Sequence, residues 1–364
     1  MKILTLIDSF KGTLSSLELG NITKEVLKSK HEVKVLACSD GGEGFLDVIK
    51  QNNNTVEKES VEVFDPLFRR IESYYLVSKK EGKAYIELAK ASGINLLKEE
   101  ELNPFITSTY GFGEMIKDAI NKGYKQIILG IGGSATNDGG TGMLEALGVK
   151  FNNGSLTNMA NSKLKDIETI DTKALDTLLK NVSITVLSDV TNPLLGSLGA
   201  TYVFSKQKGA KESDLPVLEM NMENYAKFRR NEITKNGSGA AGGVGYALRA
   251  YLNANVVSGI DAILDMISYD KLEKEFDYVF TGEGKIDSQS MQGKVISSIT
   301  KRTKHAKIIY VCAINELQNM DNVYAIVNND VTKEMSLENP AYCKVLDHRL
   351  HYNIHQPLII CRYE

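Results

Sequence analysis

Apolar residues over the first fifty positions alternate between two periods. Ile3-Leu4-Thr5-Leu6-Ile7 is a short apolar run that stops at Asp8 and reads as a buried strand. After the polar turn Asp8-Ser9-Phe10-Lys11-Gly12-Thr13, the residues Leu17, Ile22, Val26 and Leu27 fall at helical spacing. The pattern then repeats, with a strand from Glu32 to Cys38, an acidic glycine loop and a helix over 45–50. Two successive βα units predict a parallel sheet. Between Val61 and Leu88 the texture changes to β-rich segments broken by Asp65-Pro66 and Lys80-Glu81-Gly82-Lys83, which predicts an antiparallel meander and a crossing into another domain. A helix over 111–122, a strand over 125–131 and a helix over 141–148 restore the alternation, with Gly123 and Gly148 where helix C-caps belong. The parallel layer is expected to resume there. Beyond 151 the pattern is less regular: a strand from Ile184 to Leu187, the turn Thr191-Asn192-Pro193 and a polar helix around 212–230. Two more buried strands, Asp277 to Phe280 and Lys307 to Val311, flank a helix over 293–303.

Composition narrows the class. A chain of 364 residues exceeds what one core usually organises, so about two domains are expected. Hydrophobic content of 42% with 24% charged residues excludes disordered and fibrous classes and leaves a soluble α/β protein. A net charge of -3 with interspersed signs gives no basic field for nucleic acid; Arg69-Arg70 and Arg229-Arg230 are too small to make one. Cys38, Cys312, Cys343 and Cys361 are widely spaced without a CxxC pair, which points to reduced cytoplasmic thiols rather than zinc or disulfides. The N-terminal apolar run is too short for a signal peptide, and no window reaches the ~20 apolar residues of a membrane span.

The loops carry the chemistry. Gly130-Ile131-Gly132-Gly133-Ser134-Ala135-Thr136-Asn137-Asp138-Gly139-Gly140 lies between a predicted strand and the predicted helix at Thr141, an arrangement that lets backbone amides and a helix N-terminus surround an anion. Ser39-Asp40-Gly41-Gly42-Glu43-Gly44, Gly237-Ser238-Gly239-Ala240-Ala241-Gly242-Gly243 and Thr281-Gly282-Glu283-Gly284-Lys285-Ile286-Asp287 share its character. Packing of a helix on another backbone explains the 237–243 cluster as well as ligand contact does. Asp8, Asp40, Glu43, Asp138, Asp189, Glu283 and Asp287 all fall at or just after predicted strand ends, the edge where open α/β sheets bind ligands. Each alone reads equally well as a helix cap or turn former. Seven acids on one edge would repel unless they met a divalent ion or cationic groups, and Lys11, Lys285 and Lys294 lie in the same loops. Magnesium, phosphate and lysine satisfy that pattern. A Walker A loop is absent, since the stretch from Ser288 to Val295 lacks the first glycine and the hydroxyl after Lys294.

The strings Asp8-Ser9-Phe10-Lys11-Gly12, Asp40-Gly41-Gly42-Glu43-Gly44, Gly132-Gly133-Ser134-Ala135-Thr136-Asn137-Asp138-Gly139-Gly140, Gln207-Lys208-Gly209-Ala210, Gly239-Ala240-Ala241-Gly242-Gly243 and Thr281-Gly282-Glu283-Gly284-Lys285-Ile286-Asp287 together resemble the bacterial type 1 glycerate kinase family. The resemblance runs in order over roughly the first 340 residues. It implies an α/β fold: a Rossmann-like (flavodoxin-like) parallel-sheet domain with a second α/β domain inserted and an active cleft between them. The boundaries expected are 1–60, 104–150 and 262–364 for the first domain, and 61–103 with 151–261 for the second. It also implies transfer of the ATP γ-phosphoryl to D-glycerate, with the 2-hydroxyl favoured over the 3-hydroxyl, using Mg2+. In that frame Lys11 takes the glycerate carboxylate or a phosphoryl oxygen, and the amides of 132–138 cradle phosphate. Asp40, Asp189 and Glu283 hold magnesium or accept the hydroxyl proton, with Asp189 the preferred base, Asp40 a further catalytic candidate, and Asp40 and Glu283 the expected metal ligands. Ser9, Gly132, Gly133, Ser134, Asn137, Asp138, Gly282, Gly284, Lys285 and Asp287 complete the expected substrate and phosphate contacts.

Two other classes compete. Gly130-Ile131-Gly132-Gly133-Ser134-Ala135 matches the dinucleotide fingerprint, which would make the chain a nicotinamide-dependent hydroxy-acid oxidoreductase, but the following segment supplies no ribose-binding acid. A non-catalytic sugar-acid or nucleotide sensor would gain little from surplus like charge. Nucleic acid and membrane partners are not expected, and homo-oligomerisation stays open. From Lys344 the chain reads KVLDHRLHYNIHQPLIICRYE, without helical period and with Pro357, where the family carries a closing amphipathic helix. The tail therefore reads as a replacement that leaves one face of the first domain less covered.

Overall fold

The structure, a computed structural model, describes residues 1–10, 13–38, 42, 44–286, 294–316 and 322–325. In chain order the strands are β1 (Lys2–Ile7), β2 (Glu32–Val35), β3 (Glu57–Phe64), β4 (Arg70–Ser78), β5 (Lys83–Glu87), β6 (Gln126–Gly130), β7 (Lys150–Phe151), β8 (Ile170–Asp171), β9 (Ser183–Leu187), β10 (Asn255–Val257), β11 (Tyr278–Ile286), β12 (Lys307–Asn315) and β13 (Val323–Ala325). The chain divides into two compact units. The first comprises Met1–Asp40, Asp47–Asn52 and Ile260–Glu364; the second comprises Gly41–Leu46 and Asn53–Gly259.

The first unit is built on a five-stranded sheet in the order β13-β12-β11-β1-β2, with every neighbouring pair parallel. Counted within the unit this is the 2-1-3-4-5 order of flavodoxin-like sheets, whose switch point lies between its first and third strands. Leu4, Leu6 and Val279 pack with Ile260, Leu264 and Tyr269 on one face, while Ile3, Val33 and Phe280 pack with Leu27 on the other. Burial on both faces explains why these strands read as near-continuous apolar runs rather than alternating ones. The helix Ser16–Leu27 starts at a capping box in which Ser15 and Glu18 satisfy each other's backbone amides at 2.8 and 3.3 Å.

The second unit carries a six-stranded sheet in the order β10-β9-β6-β5-β4-β3. The four strands from β10 to β5 run parallel, and the antiparallel β3 and β4 extend the sheet beyond β5. The meander expected over 61–88 is therefore the edge of this sheet. One correction to the expected boundaries follows. Segment 104–150 belongs to this unit, because β6 pairs with β5 and β9, and the helices Tyr110–Asn121 and Thr141–Ala146 pack on their core through Phe112, Met115, Met143 and Leu144. The βα alternation is identical in either sheet, so it identifies the elements but not their sheet. Gly123 and Gly148 do follow their helices with φ of 96° and 103°. Among the described residues, no helix is long and apolar enough to cross a membrane.

Candidate active site

In the second unit the register sets Glu87, Gly130 and Leu187 side by side at the carboxyl ends of β5, β6 and β9. The loops leaving these strands are where a doubly wound sheet presents its residues to a ligand. The loop after β6 is held by the segment after β5 through one antiparallel bridge: Ile94 N donates to Gly133 O at 2.9 Å and Ala135 N to Ser92 O at 3.0 Å. Between and beyond those anchors, the amides of Gly132, Gly133, Ser134, Thr136, Asn137 and Asp138 meet no acceptor among the described residues. Gly132 is half-buried and Gly133 exposed, so this rung of donors opens at the glycines.

Two buried charges organise the loop from beneath. The carboxylate of Asp138, fully buried, accepts from Thr109 N at 2.9 Å, Thr109 Oγ1 at 2.7 Å, Gly140 N at 3.0 Å and Gly142 N at 3.1 Å. Burial raises its pKa, opposed by those four donors. Asp138 is thus an internal anchor and not the phosphate contact expected from the sequence. The expected anion site at the helix N-terminus is corrected as well: the first amides of the helix Thr141–Ala146 are occupied, Thr141 N by Asp138 O at 3.1 Å, Gly142 N by the Asp138 carboxylate and Met143 N by Thr109 Oγ1 at 2.9 Å, and the unbonded amides lie earlier in the loop. The second charge is Lys208, only 2% exposed, whose Nζ donates to Ser134 Oγ at 2.8 Å and Thr136 O at 2.6 Å. Desolvation depresses its pKa to about 7, against the attraction of Asp138. Asn137 is buried too; its Nδ2 donates to Thr201 Oγ1 at 3.2 Å.

The glycine cluster 237–243 resolves in favour of packing. Ala241, Gly242 and Gly243 have φ of 52°, 65° and 92°, and Gly242 O accepts from Gly139 N at 3.0 Å. A Cβ on Gly242 would lie 1.9 Å from Thr136 O, so only glycine allows this backbone to press on the loop. Asp189 follows β9 and is half-buried. The turn after it is held by Asn192 Nδ2 to Leu198 O at 2.8 Å, Gly239 N to Asn192 O at 2.9 Å and Leu194 N to Ile233 O at 2.9 Å, bonds in which the Asp189 carboxylate takes no part.

In the first unit, the switch point brings Asp8 and Ser9 beside Gly282, Glu283 and Gly284. Asp8 N donates to Gly282 O at 2.9 Å, Ser9 N to Asp8 Oδ1 at 2.8 Å, and Gly284 approaches Phe10 within 3.7 Å of where its Cβ would stand. The stretch read as a glycine loop is instead the end of β11, paired to β12 through Ile286. Gly282 allows this, since a Cβ there would meet Val311 O at 1.7 Å. Lys285 pairs with Glu316 at 2.8 Å on the surface. Lys11, Asp40, Glu43, Asp287, the side chain of Lys294 and the tail from Lys344 lie outside the described residues. Among the described residues no group of three His, Cys, Asp or Glu could cage a metal. Magnesium binds through one or two carboxylates plus phosphate oxygens and water, so a hard-oxygen donor such as Glu283, half-buried within β11, fits it without a cage.

Two participants escaped the sequence reading. Glu87, completely buried at the end of β5, accepts from Gly44 N at 3.3 Å and Leu46 N at 3.0 Å, and so fixes the end of the acidic loop. It carries the same strand-end signal as the seven acids but was absorbed into the meander. Lys208 belongs to the string Gln207-Lys208-Gly209-Ala210, and nothing in the pattern of 206–210 announces its burial.

Residues 3–344 match the family described as the Glycerate kinase family. A glycerate kinase of Bacillus subtilis is 36% identical over 360 residues, covering 94% of each chain. A glycerate 2-kinase of Escherichia coli is 37% identical over 316 residues, covering 83% of this chain and 82% of its own. A crystal structure from Salmonella typhimurium LT2 with a glycerate kinase 2 designation superposes with a TM-score of 0.76 at 34% identity, over 94% of this chain and 95% of that one. The family match ends where the atypical tail begins.

Proposed function

The chain belongs to the glycerate kinase family, and from that membership we propose that it transfers the γ-phosphoryl of ATP to the 2-hydroxyl of D-glycerate, releasing ADP and 2-phosphoglycerate. The observation that carries this reading is the loop 132–138, in which every amide but that of Ala135 meets no acceptor among the described residues, braced by a buried lysine and a buried aspartate. Phosphoryl transfer asks a protein mainly for positioning and for charge stabilisation, and preset amide donors supply both without reorganising during the reaction.

The amides of Gly132, Gly133 and Ser134 take phosphate oxygens. Asp189 accepts the proton of the attacking hydroxyl, Lys11 meets the glycerate carboxylate or a phosphoryl oxygen, and Ser9, Gly284 and Lys285 add contacts at the switch point. Glu283 and Asp40 would hold magnesium, which would supply charge neutralisation on the phosphates. The nicotinamide reading fares worse: its fingerprint opens a helix directly, whereas here the helix starts only at Thr141. The enzyme acts in the cytoplasm on two small molecules.

Incubating purified protein with Mg-ATP and D-glycerate, and following ADP release, tests the reading. ADP release that depends on D-glycerate is expected. No ATP consumption together with NAD reduction by a hydroxy acid would replace it with the oxidoreductase.

A further inference from the structure

A lysine ammonium buried in a protein core is costly, and an apolar residue of similar volume fills such a space at lower cost. Lys208 nevertheless sits 2% exposed under the loop 132–138, with its Nζ on Ser134 Oγ and Thr136 O. Its backbone is wedged in place. The 3-10 turn Lys206–Lys208 ends at Gly209 with φ of 97°, and a Cβ on Gly209 would stand 2.2 Å from Leu102 O. The turn that carries the ammonium thus packs directly on the backbone of Leu102. Both acceptors belong to the stretch whose amides are unbonded, so the lysine fixes the direction in which those amides point.

We propose that Lys208 is a positioning residue for phosphoryl transfer, holding the loop 132–138 in its phosphate-receiving shape through Ser134 and Thr136. The inference rests on the reading of that loop as the site of the ATP phosphates. It has a second consequence. Among the described residues Asp138 is the charged group that acts on Lys208; it is already surrounded by four donors, while Lys206 on the same turn is paired with Glu212 at the surface. With its pKa depressed to about 7 by desolvation, Lys208 is mostly neutral at pH 8 in the free enzyme. A phosphate bound on the loop favours the charged form, so binding draws a proton onto the lysine.

The test combines calorimetry and kinetics on the wild type, Lys208→Met and Lys208→Arg. Mg-ATP is titrated at pH 8 in two buffers of different ionisation enthalpy, and kcat and KM are measured for both substrates. The wild type is expected to take up close to one proton per ATP and both variants none. In Lys208→Met, kcat/KM for ATP should fall at least ~100-fold while KM for D-glycerate stays within about threefold, and Lys208→Arg, which keeps the charge, should recover part of the loss. A cooperatively melting Lys208→Met that keeps its kcat/KM for ATP overturns the proposal, and no proton uptake by the wild type overturns its proton-coupled consequence. If the methionine variant does not fold, loss of uptake in a folded Lys208→Arg carries the test, and uptake equal to wild type overturns it. A wild type that binds ATP with uptake but ignores D-glycerate would sink the glycerate reading and leave the role of Lys208 standing.

Discussion

Replacing Gly242 by alanine probes the contact on which the shape of the loop depends. The new Cβ would lie 1.9 Å from Thr136 O, 2.8 Å from Thr136 C and 2.9 Å from Asn137 Cα, all backbone atoms that no side-chain rotation can move aside. Gly242 also has φ of 65°, where an L-residue costs about 1–2 kcal/mol. Gly123 supplies the control: its φ is 96° and nothing lies within 4 Å of its Cβ position, so Gly123→Ala carries the backbone strain alone. Overpacking against a rigid backbone adds about 1–3 kcal/mol, and in a domain of this size each kcal/mol lowers the melting temperature by roughly 2–4 °C. Gly242→Ala should therefore melt roughly 2–12 °C below Gly123→Ala. The functional consequence is distinct, because Thr136 O is also an acceptor of Lys208. Moving it disturbs the loop amides, so KM for ATP should rise in Gly242→Ala and not in Gly123→Ala. Differential scanning fluorimetry and steady-state kinetics on the two variants read both effects. Equal melting temperatures would refute the steric argument, and a destabilised Gly242→Ala with unchanged KM for ATP would refute the link between this contact and phosphate binding.

Other perturbations separate the remaining roles. Asp189→Asn should lower kcat about 10²–10⁴-fold with little change in ATP affinity or melting temperature, since an amide cannot accept the hydroxyl proton; near-normal kcat in a folded variant would move the base to Asp40 or Glu283. Asp138→Ala strips the acceptor from four buried donors and should cost about 3–5 kcal/mol, readable by urea denaturation, whereas a loss below ~1 kcal/mol would contradict its anchoring role. Lys208 has a folded pKa of about 7 against an ordinary 10.5, so the unfolded chain binds more protons between those values. Its contribution to stability must rise as pH rises from 7 toward 10.5, and Lys208→Met should lose that slope in melts taken across the window.

The sequence made the elements legible and the sheets less so. Apolar runs and helical spacing located β1, β6 and β9 closely, because burial on both faces leaves a clear mark, while β12 runs four residues past the expected Val311. What escaped was non-local. Whether β6 joins β1 or β5 depends on pairing partners that carry the same local pattern, so the local sequence of 104–150 does not show that it pairs with β5 in the second unit. Gly282 and Gly284 read as loop glycines because glycine is rare in strands, yet Gly282 serves there to let β12 approach. Within the site, the loop 130–140 was legible from its glycines, but the division of labour was not. Asp138 looked like a ligand contact because acidity at a strand end signals a site, and only the four donors from Thr109, Gly140 and Gly142 reveal an anchor. Lys208, distant in sequence from the loop it braces, had no local signal at all.

The most direct test of the central claim is the phosphorus NMR spectrum of the product formed from Mg-ATP and D-glycerate, recorded with proton coupling. A phosphate on the 2-hydroxyl is bonded through oxygen to a carbon bearing one hydrogen and gives a doublet; on the 3-hydroxyl it is bonded through oxygen to a CH₂ and gives a triplet. A new phosphomonoester doublet that grows as ATP disappears is the predicted result, and a triplet, or no phosphomonoester at all, would contradict it.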